Sequence, residues 1–183
     1  MYGLVNIAIR DLLVSAHGEE TWDRIRERAG VTTTNFIAME RYADSVTYDL
    51  VGAASEELGT PADKLLGAFG EYWTRYTADK GYGDTLDFAG ADLETFLTNL
   101  DAMHARVALS FPDLNPPGFD LDRTDDGRLL LHYHSDREGL APMVEGLLHG
   151  LGQRFDKRLE IEHLPAGTDG EDHDRFLIDV HPA

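Results

Sequence analysis

The chain has no cysteine, few basic residues and no long hydrophobic run. The lack of cysteine excludes disulfides, thiolate metal ligands and thiol nucleophiles. Sixteen Lys and Arg against 34 Asp and Glu give a formal charge of −18, which disfavours nucleic acid and anionic lipid because both must have their phosphates neutralised. No apolar stretch approaches the ~18 residues of a membrane span, and no basic segment precedes the apolar start as in a signal peptide. We therefore predict a cytoplasmic protein that binds neither nucleic acid nor membrane.

The 183 residues are 42% hydrophobic and 27% charged, which is the composition of a globular protein. Because one core commonly extends over ~100 to 200 residues, we predict a single domain over residues 1–183. The first half has apolar residues at helical spacing. In the stretch "TPADKLLGAFGEYWTRY", Thr60 is the predicted N-cap of a helix, with Pro61 at its first position and Asp63 in its first turn.

The segment "DLETFLTNLDAMHARVALSF" is predicted to form one helix that stops at Pro112. The residues on its apolar face are Leu93, Phe96, Leu97, Leu100, Met103, His104 and Val107. Beyond it, "GFDLDR" and "RLLLHYHS" flank the turn residues "TDDG" and predict a hairpin. A helix in "GLAPMVEGLLHGLGQRF" then leads to a second hairpin of "RLEIEHL" with "DRFLIDVH". We expect an α+β domain with a helical N-terminal half packed on a small antiparallel sheet and its intervening helix.

Three hydrogen-bonding side chains lie at alternate positions near the end of the second predicted strand: Tyr133, Ser135 and Arg137. Alternate strand residues share a face, so these side chains continue the apolar face of Leu129 and Leu131. Two hydroxyls and a guanidinium suit a carboxylate, which accepts several hydrogen bonds and pairs bidentately with Arg. The alternative is an ordinary ion pair between Arg137 and one of the many acids of this chain.

His104 lies on the apolar helix face, where a histidine is most often hydrogen-bonded in the core. The alternative is a neutral imidazole that binds a metal ion. A haem would connect His104 with the Tyr133 to Arg137 cluster, because its iron needs an axial ligand and its edge carries two carboxylates.

The start "MYGLVN", the segment "LDAMHARVALSFPDLNPPGF" and the stretch "YHSDR" followed by "GLLHGLGQRF" resemble the haem nitric oxide/oxygen binding (H-NOX) family, which is related to the haem domain of soluble guanylate cyclase. The resemblance covers essentially the whole chain. Its most specific element is the Tyr-x-Ser-x-Arg pattern with a His about thirty residues upstream. It implies a non-covalent haem b between the two halves, with His104 as iron ligand and Tyr133, Ser135 and Arg137 on the propionates. Pro117, with Pro116 as the alternative, matches the residue that distorts the porphyrin.

The resemblance also indicates which residues face a bound gas. It places Val5, Ile9, Leu140 and Pro142 around the ligand, and the last of these occupies the position of a Tyr in oxygen-binding members. Because these side chains offer no hydroxyl, we expect nitric oxide and CO to be bound in preference to oxygen. Trp73, and less so Tyr72, could supply an N–H or O–H donor and so favour an oxygen sensor instead.

The implied function is that of a stand-alone bacterial gas sensor without enzyme activity. Nitric oxide is expected to weaken the bond between the iron and His104 and so to shift the helical half against the sheet half. Since the chain ends at Ala183, we expect the signal to reach a separate histidine kinase or a cyclic-di-GMP synthase or phosphodiesterase.

Other interpretations start from the same residues. Arg137 could serve a non-haem module that binds a small carboxylate, and a haem enzyme or haem-trafficking protein is a further alternative. A hydrolase built on Ser135 is disfavoured because no Gly-x-Ser-x-Gly turn presents the serine. Several histidines could form a surface zinc site if the hairpins align them: His132, His134, His163, His173 and His181.

Overall fold

The structure is a computed structural model that describes residues 1–111 and 114–183. Its first half is helical, as predicted. The α-helices of this half are α1 Gly3–His17, α2 Glu19–Arg28, α3 Asp44–Leu58, α4 Ala62–Thr77, α5 Gly83–Ala89, α6 Leu93–Thr98 and α7 Leu100–Ala108. The segment Ala78–Tyr82, in which the backbone of Lys80 and Gly81 is not helical, joins α4 to α5.

Both predicted hairpins are present and form one antiparallel sheet. The strands are β1 Gly118–Arg123, β2 Leu129–His134, β3 Lys157–Leu164 and β4 Asp174–Pro182, in the order β1-β2-β4-β3. Helix α8, Ala141–Arg154, connects β2 to β3. Because β2 pairs with both β1 and β4, the strand that carries Tyr133 is central in the sheet.

The buried residues form two hydrophobic clusters. The N-terminal cluster is built mainly from α1 to α4 and includes Ile9, Trp22 and Phe69. The C-terminal cluster packs α6 and α8 on the inner face of the sheet, where Leu131 is opposite Phe176. Helices α4 and α8 pack against each other at the boundary, and this is the most extensive of the contacts between the two halves.

Two helix boundaries differ from the sequence prediction. The helix predicted from residue 92 onwards is divided into α6 and α7, because Asn99 leaves helical geometry and donates from Nδ2 to the Ala89 carbonyl at 2.8 Å. Its predicted end at Pro112 lies outside the described residues. Thr60 does not cap α4, since its hydroxyl is directed back to the Leu58 carbonyl at 3.4 Å and Pro61 takes the N-cap position.

The α+β prediction is confirmed: a helix-rich half packs on a small four-stranded antiparallel sheet. Within the described ranges, none of the helices has the length and apolarity required to span a bilayer.

Candidate functional site

A cavity of about 340 Å³ is lined by members of both hydrophobic clusters. The structure brings nine of the ten sequence-predicted site residues to its wall: Val5, Ile9, Trp73, His104, Pro117, Tyr133, Ser135, Arg137 and Leu140. Pro116, the alternative to Pro117, also lines it. Val5 and His104, which are 99 positions apart in the sequence, thus face the same cavity.

Pro142 is the predicted site residue that does not line the cavity. It lies in the first turn of α8, where its carbonyl oxygen faces Gly67 on α4. The next residue, Met143, reaches the cavity instead, together with Val144 and Leu147. The contact of α8 with the cavity thus lies one position along the helix from Pro142 and is apolar. Tyr72 is likewise absent from the lining and packs on Tyr76 at 5.5 Å between ring centroids.

His104 is presented by α7 and lies nearly parallel to Phe119 of β1, with 5.7 Å between ring centroids. Burial lowers the pKa of His104, and this outweighs the Asp101 carboxylate and the Leu100 carbonyl, which act in the opposite direction. The ring is therefore neutral near pH 7, as a metal ligand must be. Its Nδ1 is buried and has no hydrogen-bond partner among the described residues.

Asp101 fixes the position of the His104 helix. Its Oδ1 accepts a hydrogen bond from the backbone N–H of Phe119 at 2.9 Å, which ties α7 to the first residues of β1. The same contact holds the Phe119 ring under His104. The sequence did not predict this contact, because nothing in the residues around Asp101 indicates that it binds the backbone of Phe119, 18 positions later.

Tyr133 is buried at the end of β2. Burial raises its pKa, while the hydrogen bond with Ser135 and the charge of Arg137 act against that rise, so the phenol is protonated and can donate. Ser135 Oγ accepts from the backbone N–H of Arg137 at 3.0 Å, which closes a tight turn after the strand. The turn directs Tyr133, Ser135 and Arg137 to the same wall of the cavity.

Arg137 is held by contacts from two distant parts of the chain. Its Nε donates to Asp44 Oδ2 at 2.7 Å and its Nη1 to the Asn115 carbonyl at 2.8 Å. Asp44 also binds the N-terminal ammonium of Met1. Burial raises the pKa of Asp44, but hydrogen bonds and charge from the ammonium and Arg137 outweigh it and hold that pKa below 3.8. The ion pair with an acid of the chain, the alternative role of Arg137, is therefore present.

Two hydroxyl groups in the cavity wall already have acceptors. Thr47 donates to Asn6 Oδ1 at 2.7 Å, and Thr77 donates to the Trp73 carbonyl at 2.8 Å. The Trp73 ring packs on Phe69 and Tyr76. These two hydroxyls are therefore engaged within the wall, and no sequence pattern indicated the threonines.

The residues present fit a haem. An apolar cavity suits the porphyrin, a buried neutral imidazole suits an axial ligand, and Tyr133, Ser135 and Arg137 suit two carboxylates. His104 would ligate the iron, and the three polar residues would bind the propionates.

Comparison with protein families gives an independent result. A family model described as "Haem-NO-binding" matches residues 2–163. Soluble guanylate cyclase gcy-32 of Caenorhabditis elegans is 30% identical over an alignment of 191 positions. The alignment covers 97% of this chain and 28% of the relative. The soluble guanylate cyclase subunit beta-2 of Rattus norvegicus is 39% identical over 93 residues, 51% of this chain and 14% of the relative. The chain thus spans about a quarter of the length of the first relative and less of the second.

Solved structures show the same fold. An H-NOX protein from S. oneidensis in the Fe(II)NO ligation state superposes with a TM-score of 0.89 at 23% identity, over 99% of both chains. The Fe(II) unliganded H-NOX protein from K. algicida gives a TM-score of 0.86 at 21% identity, over 100% of this chain and 98% of that one.

Proposed function

The chain belongs to the haem-NO-binding family, and from this premise we propose that it is a haem-based gas sensor domain that binds a non-covalent haem b through His104. When bound, the haem supplies the iron to which a diatomic gas binds. The domain itself is a sensor rather than an enzyme, and its output passes through a conformational change to an effector.

One observation carries the proposal: a single cavity joins His104 with Tyr133, Ser135 and Arg137. The histidine comes from α7, whereas Tyr133 lies in β2 and Ser135 and Arg137 follow that strand. A small-carboxylate module would use Arg137 but has no use for a buried neutral histidine or for so large an apolar wall. A haem uses all of them.

The protein residues have separate roles in this proposal. His104 offers a nitrogen without first losing a proton, since its pKa is already lowered by burial. Asp101 holds the histidine helix against β1. Tyr133 donates from its protonated phenol, and Arg137 supplies the positive charge that two propionates require. The apolar walls exclude water from the ligand side.

We further propose that the site binds nitric oxide and CO in preference to oxygen. Bound oxygen carries partial negative charge and gains most from a hydrogen-bond donor. Val5, Ile9 and Leu140 offer none, and Met143 at the start of α8 is equally apolar. The hydroxyls of Thr47 and Thr77 are already donating to other acceptors. Among the residues predicted from the sequence to face the gas, the donor to test is the indole N–H of Trp73.

The effector proposed for this domain is a separate histidine kinase or a cyclic-di-GMP synthase or phosphodiesterase, in a bacterial cytoplasm. This part rests on the family resemblance and on the absence of cysteine, which suits a reducing compartment. The curated relatives are themselves named as guanylate cyclases, so cyclic-nucleotide signalling is the common setting.

Reconstitution with haem tests the proposal. Purified chain titrated with haem should develop a Soret band at one haem per chain. His104→Ala should change that spectrum, and free imidazole should restore it, because imidazole replaces the missing side chain. His149→Ala, a histidine on α8 that does not line the cavity, is the matched control. Failure to bind haem, or an unchanged spectrum in His104→Ala, would refute the assignment.

A further inference from the structure

Three histidines meet on the outer face of the sheet, away from the cavity. His132 and His134 are alternate residues of β2, and their side chains lie on the opposite face from Leu131 and Tyr133. His173 approaches them from the loop before β4. The hairpins therefore align three of the five histidines from which the sequence suggested a surface zinc site.

The three rings are close together. His132 Nδ1 and His173 Nε2 are 2.8 Å apart, and the His134 and His173 ring centroids are 4.0 Å apart. The other two histidines are elsewhere: His163 contacts Asp174 at 3.0 Å, and His181 lies 3.7 Å from Glu160 and Asp179.

Each of the three rings also has a carboxylate at a nitrogen. His173 Nδ1 is 3.0 Å from Asp172 Oδ1, and His132 Nε2 is 3.3 Å from Asp122 Oδ2. His134 Nε2 is 3.7 Å from Asp120 Oδ2. Carboxylates in this position orient metal-binding histidines and raise their basicity.

The hydrogen bonding of the cluster is incomplete when all rings are neutral. Because Asp172 accepts from His173 Nδ1, His173 Nε2 must accept from His132 Nδ1. The remaining nitrogen, His132 Nε2, then has no proton, yet it is buried without a partner and faces the Asp122 carboxylate. His132 Nε2 and the Asp122 carboxylate would then be two acceptors that face each other, which is unfavourable. A cation bound between His132 Nδ1 and His173 Nε2 removes this conflict. His132 Nε2 and His173 Nδ1 can then both carry protons and donate to their carboxylates.

We propose that His132, His134 and His173 form a binding site for a divalent transition metal ion of the zinc class. Imidazole nitrogens are preferred ligands of such ions, and Zn²⁺ accepts three of them with a carboxylate or water in the fourth position. The surrounding acids attract a cation, while Arg175, the cross-strand partner of His132, is turned away to the Thr168 carbonyl and Asp169.

Binding requires a small rearrangement. Among the described residues, no three ligand atoms already converge on one point. Two nitrogens bound to one tetrahedral zinc stand about 3.3 Å apart, from Zn–N distances of ~2.05 Å, so the His132 to His173 pair must separate by about 0.5 Å. The His134 side chain is 45% exposed and is free to rotate its ring towards the other two.

Zinc titration of chelator-treated protein, followed by calorimetry, tests the site. We expect one Zn²⁺ per chain with a dissociation constant in the micromolar range or below. His132→Gln and His173→Gln should weaken binding at least tenfold, whereas His181→Gln, on the same sheet, should not. His104→Ala should also leave zinc binding unchanged, which separates this site from the cavity and from the proposed function.

A second readout does not depend on heat of binding. Excess zinc should raise the melting temperature of the wild type by several degrees and that of His173→Gln by clearly less, because stabilisation by a folded-state ligand grows with its affinity. If wild-type chain binds no zinc, the cluster holds a shared proton only and the metal proposal is wrong. Equal weakening by His173→Gln and His181→Gln would also overturn it.

Discussion

At the residue scale, Arg137 can pair with carboxylates from two sources, the Asp44 side chain and the haem propionates. Asp44 now accepts from its Nε, and Asn115 accepts from Nη1, while propionates would compete for the same guanidinium. An Arg presents a fork of five donors, so it can keep one carboxylate while it binds another. The ion pair within the chain is therefore compatible with cofactor binding and holds Arg137 at the cavity.

Arg137→Ala should speed haem loss by about tenfold or more. Hydrogen bonds to charged groups contribute ~1.5–3 kcal/mol each, and the propionates would lose their cationic partner. Transfer of haem to a scavenging protein measures the dissociation rate. Ser135→Ala should have a smaller effect, and Arg158→Ala, an exposed Arg on β3 paired with Glu160, should have none. Equal rates in wild type and Arg137→Ala would contradict the assignment.

Pro117→Ala should change gas affinity while haem occupancy stays near one per chain. Pro117 lines the cavity and is proposed to shape the porphyrin without bonding to it. Raman markers of porphyrin distortion, recorded beside a CO titration, measure both effects. Markers that remain at their wild-type positions would count against this role, and Pro116→Ala then becomes the next variant to examine.

At the element scale, the helices and strands could be predicted from the sequence better than the residues at which they begin and end. The alternation of β2 and the apolar stripe of α7 follow directly from side-chain period, so His104 and Tyr133 could be assigned to faces from the sequence alone. The break at Asn99 could not, because it depends on a hydrogen bond to Ala89 that no local pattern shows. The position of Pro142 relative to the cavity could not be predicted either, because the structure places Met143, one residue later on α8, in the lining.

The crossing of α4 and α8 depends on glycine. A Cβ added at Gly70 would lie 2.1 Å from the Met143 carbonyl oxygen, which is backbone and cannot turn aside. Gly70→Ala should therefore force the helices apart and destabilise the fold by ~1–3 kcal/mol or more. Gly52→Ala on α3 meets nothing within 4 Å and should stabilise by ~0.5–1 kcal/mol. Urea unfolding of both variants measures the difference, and similar values for the two would contradict the close approach.

The Asp44 contact links the start of α1, α3 and the end of β2. Because the pKa of Asp44 is lowered in the folded chain from 3.8, the folded state favours its carboxylate. That stabilisation is fully present above the unfolded value and is lost as pH falls through the folded one. Asp44→Asn should therefore be less stable than wild type at pH 7, with a gap that narrows below pH 3.8. Urea unfolding across pH measures this, with exposed Asp49→Asn on α3 as control; a constant gap would contradict the role of the charge.

At the scale of the whole molecule, the cavity lies where the two hydrophobic clusters meet. His104 contacts the sheet through Phe119, and Asp101 ties its helix to β1, whereas Val5, Ile9 and Trp73 belong to the N-terminal cluster. A group bound between them contacts both, so a change at His104 can alter how the halves pack. A sensor requires such an arrangement, because a ligand signals only by favouring one of two conformations.

The absorption spectrum of the ferrous haem-loaded chain under nitric oxide, CO and air tests this account most directly. We expect nitric oxide and CO each to shift the Soret band, and air-saturated buffer to yield no stable oxygen complex, because Val5 and Ile9 offer no donor and the hydroxyls of Thr47 and Thr77 are engaged. Trp73→Phe, which removes the indole N–H, should behave as wild type. A stable oxygen spectrum in wild type that disappears in Trp73→Phe would contradict the nitric oxide assignment and identify an oxygen sensor.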